Sequence, residues 1–328
     1  MVRSADALTT VGFRVTDRRT AVDGQRIVGY DLEESPARLR APALKCVQVR
    51  AALRFLHEQN VVDVDVLRAL VGVWLWMALL RRDLLCVPQS VFRLIEVHEG
   101  HRVIWWPSAR REVLAMSQAV LGMYADVGAP TPCVIMATDA MGAEDSSSTG
   151  DCGGFGIVAG DVPRELALDC LRSGARPGKA LQRDLQLRGR ESPDRPLIRT
   201  TPFTKLPPQL FNGQVDWVVL CRGRWLFSEH ITRGELRAVL RLLRILVTDV
   251  RCHRSKIVSL QDNMAVASIL AKGRSSNPTL NYLLRKRCAY CLFSEISILA
   301  PWVESGKQPA DESSRQVEED GGDWPQSH

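Results

Sequence analysis

Two stretches of unlike pattern predict a chain of two domains, the second an α/β fold in which helices cover a mixed sheet. Up to about residue 125 the apolar residues recur at helical spacing; beyond it short apolar runs alternate with amphipathic ones, in the order strand, strand, strand, helix, strand, helix, helix, strand. Between the two stands Gly128-Ala129-Pro130-Thr131-Pro132, where two prolines restrict the backbone and mark a boundary. A chain of 328 residues with 45% hydrophobic and 24% charged residues is long enough to bury two cores, which argues against disorder as a whole.

In the first region, Leu44, Val47, Val49, Ala52, Leu53 and Leu56 predict an amphipathic helix over 41–59, and a second helix runs from about Asp63 through Leu80. A third follows Pro107, with Ser108 as the expected N-cap, and continues through Met123. Val66 to Leu80 is the most apolar run, but Arg68 interrupts it and Arg81-Arg82 close it. It is too short to cross a bilayer and reads as a buried helix, so no membrane partner is expected. Met1 to Thr20 is polar and carries no signal-peptide core, and the nine cysteines include no paired CxxC set. Both observations point to a reducing, intracellular setting, nuclear or cytoplasmic.

In the second region, Cys133 to Thr138 predicts a buried strand ended by Asp139, and Gly153 to Ala159 a second. Asp216 to Leu220 and Arg224 to Phe227 predict a hairpin or one bent strand. From about Arg233 to Val247 a helix places Leu236, Val239, Leu240, Leu243, Leu246 and Val247 on one face and Arg237, Arg241 and Arg244 on the other. Strand Lys256 to Leu260, helices Met264 to Ala271 and Leu280 to Phe293, and strand Ile296 to Val303 complete the order. The stretch of about 164–208, rich in Arg, Pro, Gly and Asp, reads as an exposed insertion, and 317–328 as a disordered acidic tail.

Asp139 and Asp262 at strand ends and Glu235 in the first turn of a helix can converge over one sheet edge. Carboxylates packed closely stay ionised only when cations neutralise them. Oxygen ligands of this kind suit Mg²⁺, and two such ions can activate a water and stabilise a leaving oxygen in phosphodiester hydrolysis. Asp311, at the head of the acidic tail and just after Pro309, reads equally well as a solvated acid at a helix start. The net charge of +6 suits a polyanionic partner.

These residues carry a resemblance. Thr138-Asp139-Ala140 with the later Gly-rich strand, His230-Ile231-Thr232-Arg233-Gly234-Glu235, Gln261-Asp262-Asn263 with Lys272-Gly273-Arg274-Ser275-Ser276, and Pro309-Ala310-Asp311-Glu312-Ser313-Ser314-Arg315 together resemble the ribonuclease H domain of retrotransposon reverse transcriptases, most nearly those of tyrosine-recombinase elements. The resemblance covers about Cys133 to Arg315. It implies a mixed five-stranded sheet with flanking helices, four metal-binding catalytic carboxylates (Asp139, Glu235, Asp262, Asp311), two Mg²⁺ ions or Mn²⁺ in their place, and cleavage of the RNA strand of RNA–DNA hybrids. Met141 stands where a serine is common, Gln308 where an Asn is usual, and no His lies between Asp262 and Asp311.

Val11 to Val15 and Ile27 to Leu32 resemble the segment just after the polymerase aspartates of a reverse transcriptase, and Leu70 to Trp74 and Trp106 to Ser108, with Arg111-Glu112, resemble the thumb and connection that follow it. The implied domains are therefore 1–125 as that mostly helical segment and 126–316 as the nuclease. No Tyr-x-Asp-Asp turn occurs, so templated synthesis is not expected from this chain, and a separate polymerase segment is an expected partner. Arg222, Arg224, Lys272, Arg274 and Ser275 are the expected contacts to substrate phosphates. Trp217 and Trp225 suit either a sugar face or the core. Two other readings compete: an inert nucleic-acid-binding remnant of a decayed element, and a nuclease of the integrase or resolvase type.

Overall fold

The computed structural model of the chain describes residues 26–27, 29–34, 36–142, 152–173 and 206–315. The motif Val11 to Val15, residues 174–205 of the expected insertion and the tail 317–328 lie outside the described residues. The chain forms two compact units: Met1–Arg81 with Ser90–Gly128, and Arg82–Gln89 with Ala129–His328.

The first unit is less purely helical than its sequence predicts. Strands β1 (Arg26–Ile27), β2 (Tyr30–Glu34), β3 (Ala37–Arg40) and β6 (Tyr124–Asp126) form an antiparallel sheet, and β4 (Val61–Asp63) pairs with β5 (Arg102–Ile104). These strands are too short and too polar to show an alternating apolar pattern. Helices α1 (Ala43–Glu58), α2 (Val64–Ala78) and α4 (Pro107–Ala119), with most of α3 (Gln89–Val97), supply the core. In α2 the residues Leu67, Val71, Trp74 and Met77 turn inward, and the Asp63 carboxylate caps the helix by accepting from the Asp65 and Val66 N–H groups. Among the described residues no helix is long and apolar enough to cross a membrane. Ser108 does not cap α4: Trp106 holds that position with no side-chain cap bond, because Pro107 opens the helix.

The second unit is a mixed α/β structure built on five strands, β7 (Val134–Met141), β8 (Gly154–Asp161), β9 (Trp217–Arg224), β10 (Lys256–Leu260) and β11 (Ser297–Leu299), in the order β11-β10-β7-β8-β9. The central strand β7 runs parallel to β10 and antiparallel to β8, so the two sides of the sheet differ in direction. Helices α5 (Arg164–Arg172), α6 (Ile231–Thr248), α7 (Met264–Lys272), α8 (Pro278–Ser294) and α9 (Asp311–Arg315) complete it. Ile135, Ala137, Val158, Val258 and Leu260 form one core cluster with Ala167, Cys170, Leu210, Val215 and Ala310.

Several expectations shift. The stretch read as an exposed insertion opens with α5, whose Ala167 and Cys170 are buried in that cluster, because its apolar residues fall at helical spacing between charged ones. Of the two options for residues 216–227 the bent strand is the one found: β9 is continuous, with a register shift opposite Ile157 and Val158, while Trp225 to Phe227 lie beyond it. The last strand is shorter than expected, three residues plus one bridge from Trp302 to Gln261.

Arg82–Gln89, read from the sequence within the first region, belongs to the second unit. Asn281 Nδ2 donates to the Cys86 carbonyl at 2.8 Å, and Arg285 donates to the carbonyls of Cys86 at 3.1 Å and Val87 at 2.8 Å. Gly273 ends α7 at φ +72°, where a Cβ would overlap the Arg82 carbonyl oxygen, so both backbone angle and space demand glycine there.

Candidate metal centre

Three elements deliver the carboxylates. Asp139 sits inside β7 rather than at its end: the strand runs on through Ala140 and Met141, and Asp139 pairs with Gly156 of β8. Glu235 is the fifth residue of α6, two residues further into the helix than the sequence suggested, because the helix begins at Ile231 with His230 as its cap. Asp262 follows β10, just before Asn263, whose side chain caps α7. One oxygen from each of Asp139, Glu235 and Asp262 lies within 4.8 Å of the other two.

Two of the three are held out of water, and Asp262 is partly exposed. Asp139 is 4% and Glu235 3% exposed. Burial, then the repulsion of Asp262 and Asp311, pushes the Asp139 carboxyl up to about 6 against the opposing hydrogen bond from Ser314. Burial, with the charges of Asp139 and Asp262, raises Glu235 well above the carboxylate range, although a hydrogen bond from the Ala140 backbone opposes this. Glu235 Oε2 and Asp262 Oδ1 are buried without any hydrogen-bond partner. A native fold rarely leaves two such acceptors empty side by side. Oxygen donors of this charge and separation fit a hard divalent cation, so the residues present suit Mg²⁺ or Mn²⁺.

A buried polar layer fixes the strands beneath the centre. Gln261 Nε2 donates to Thr138 Oγ1 at 2.7 Å and to Ser259 Oγ at 3.1 Å, tying β10 to β7 one residue away from both Asp139 and Asp262. Gln308 Nε2 donates to the Thr138 carbonyl at 3.2 Å, and Trp302 Nε1 to the Asp262 carbonyl at 2.7 Å.

Asp311 stands outside the converging three. It opens α9, its side chain is 40% exposed, and it pairs with Arg315 at 2.9 Å. The residue of α9 that does touch the centre is Ser314, whose hydroxyl donates to Asp139 Oδ2 at 2.5 Å and to the Asp311 carbonyl at 2.8 Å. No role for Ser314 follows from the local sequence pattern; the signal that points to it is Gly156. A Cβ there would meet Ser314 N at 2.7 Å, Ser313 Cβ at 2.8 Å and the Ala310 carbonyl at 2.9 Å. A glycine inside a strand marks a close approach of another backbone, and here that backbone is α9.

The expected phosphate contacts scatter over this unit. Arg222 pairs with Gly156, itself the partner of Asp139, so register puts Arg222 on the Asp139 face of the sheet; Arg224 is two residues along on the same face. Lys272 ends α7, and Arg274 and Ser275 lie in the turn before α8. Ser275 is already used within that turn: its hydroxyl accepts from Asn277 N and its N–H donates to Asn281 Oδ1. Trp217 packs on the core cluster, and Trp225 lies tilted by 35° against Phe155 at 4.7 Å between centroids.

No protein-family model and no curated protein matches the chain. Among solved structures it is similar to the foamy viral protease-reverse transcriptase in complex with RNA/DNA hybrid, with a TM-score of 0.26 and 10% sequence identity. That similarity covers 89% of this chain, which spans 52% of the length of the viral one.

Proposed function

We propose that the second unit is a ribonuclease H-like, metal-dependent endonuclease that hydrolyses the RNA strand of RNA–DNA hybrids. The observation that carries this reading is the convergence of Asp139, Glu235 and Asp262 within 4.8 Å, with two of their oxygens buried and unpartnered. A mixed five-stranded sheet whose central strand bears the first carboxylate accords with the same resemblance.

Asp139, Glu235 and Asp262 would hold the first cation. Asp311, whose charge already acts on Asp139, would join a second on release from Arg315. When bound, such ions supply a water of lowered pKa and Lewis acidity toward the phosphate oxygens. The chain itself supplies position. Ser314 fixes the outer oxygen of Asp139, the Gln261 and Thr138 layer fixes both strands, and burial makes the site compete with protons for its ligands. Arg222 and Arg224, on the Asp139 face, and Lys272, Arg274 and the Ser275 turn would contact the backbone of the hybrid, read by shape and 2′-hydroxyls rather than by sequence. Residues 1–125 would act as a thumb- or connection-like segment that adds affinity without chemistry.

The test is cleavage of an end-labelled RNA–DNA hybrid with Mg²⁺ and with EDTA. Metal-dependent cutting of the RNA strand is expected, reduced at least about a thousandfold by Asp139→Asn, as for the loss of an electrostatic group central to a transition state. Binding of the hybrid with no cutting in Mg²⁺ or Mn²⁺ would favour the inert-remnant reading instead.

A further inference from the structure

The two edges of the five-stranded sheet are finished differently. β11 is three residues long with Ile298 buried, whereas β9 spans eight residues and leaves Val218 62%, Val219 45% and Leu220 43% exposed. Three successive exposed apolar residues on an edge strand are unusual, because edges are normally blunted by charge, proline or brevity. Trp217 to Cys221 contains no charge and no proline, and its one guard is the register shift at Leu220, between the pairs Ile157–Cys221 and Val158–Val219. Among the described residues no strand pairs with the outer side of β9.

The sequence of this edge is complementary to itself. Antiparallel pairing of two copies about a twofold axis at Leu220 sets Leu220 beside Leu220, Val219 beside Cys221, and the exposed Asp216 opposite the exposed Arg224 at both ends. The neighbouring register about Val219 sets Asp216 opposite Arg222 instead and places Arg224 opposite Gln214. We propose that β9 is the interface of a symmetric homodimer in which two copies join edge to edge into one ten-strand sheet. Isologous pairing uses the same surface twice, so each favourable contact counts twice. Arg224 then serves the pairing, and Arg222, in line with Asp139 across the sheet, remains for phosphate.

Sedimentation equilibrium of the full chain across a wide concentration range tests this. The expected result is a reversible dimer. Leu220→Lys, which sets two ammonium groups face to face on the axis, should weaken it by at least about a hundredfold. Asp216→Arg and Arg224→Asp should each weaken it about tenfold, and the double exchange should restore it to within about threefold. Amide hydrogen exchange on the same samples reads the edge directly: 217–221 should be protected in the dimer and exchange faster in Leu220→Lys. A monomer at every concentration, a dimer indifferent to Leu220→Lys, or a monomer with 217–221 protected by the chain's own residues would each overturn the proposal.

Discussion

Asp139 and Asp311 meet the same short helix, and the chain treats them in opposite ways. Asp139 is enclosed in β7 with Glu235 and Asp262 beside it, and receives from α9 only the neutral hydroxyl of Ser314. Asp311, four residues from Arg315 in that helix, keeps a guanidinium partner and 40% of its side-chain exposure. The exposed acid is satisfied at little cost. The buried ones are left incomplete, and an incomplete buried charge destabilises a fold unless something outside the chain completes it. The difference therefore separates an acid whose charge is met within the chain from acids whose oxygens are not.

The hardest way to break this arrangement is at Gly156. A valine there must displace the Ser314 N–H and the Ala310 carbonyl, which are backbone and cannot swing aside like the tip of a flexible side chain. Gly156→Val should cost about 3 kcal/mol, the upper end of overpacking, read as a lower urea midpoint. It should also abolish hybrid cleavage by unseating Ser314 from Asp139. An unaltered midpoint would mean that α9 is not seated on β8 in solution.

A smaller effect follows from the raised carboxyl of Asp139. Its ordinary value is 3.8 and its folded value about 6, so the native state binds the proton more tightly than the unfolded chain does. The stability linked to this group is thus fully present below about pH 4, and is lost as pH rises through about 6. Glu235 adds in the same direction. In EDTA the thermal midpoint should fall across this window by the equivalent of about 3 kcal/mol from Asp139. Mg²⁺ should cancel the fall. Asp139→Asn should reduce it to the part due to Glu235 and, at neutral pH without metal, should melt higher than the parent protein. A parent midpoint insensitive both to pH between 4 and 7 and to Mg²⁺ would remove the distinction between the two aspartates.

How much of this was legible in the sequence depended on range. β10 was read to the residue and α7 to within one, because each is a short apolar run with its own stop signals, an acid or a glycine. Asp139 and Asp262 stand out as polar residues at the ends of apolar runs, whereas Glu235 is singled out by the resemblance of His230 to Glu235 rather than by its local pattern. Asp139 misled in one respect: a buried charge inside a strand is costly, so the pattern stops there, while the strand itself continues to Met141. Contacts between distant segments left no local trace. The hydrogen bond from Arg285 to Cys86 spans 199 positions, and that from Ser314 to Asp139 spans 175. The membership of Arg82–Gln89 in the second unit and the place of Ser314 emerge only from the folded chain.

The finest test concerns Asp311. As an exposed i,i+4 pair, its contact with Arg315 contributes no more than about 0.5 kcal/mol, so Asp311→Asn should barely move the urea midpoint. If the carboxylate leaves Arg315 for a second cation, however, that substitution should raise the Mg²⁺ concentration for half-maximal cleavage about tenfold. Arg315→Gln, which frees the carboxylate in advance, should lower it. Opposite shifts from two substitutions at one ion pair have no source in helix stability, which both would reduce. If neither moves the metal dependence, Asp311 is a helix-start residue and the centre consists of Asp139, Glu235 and Asp262 alone.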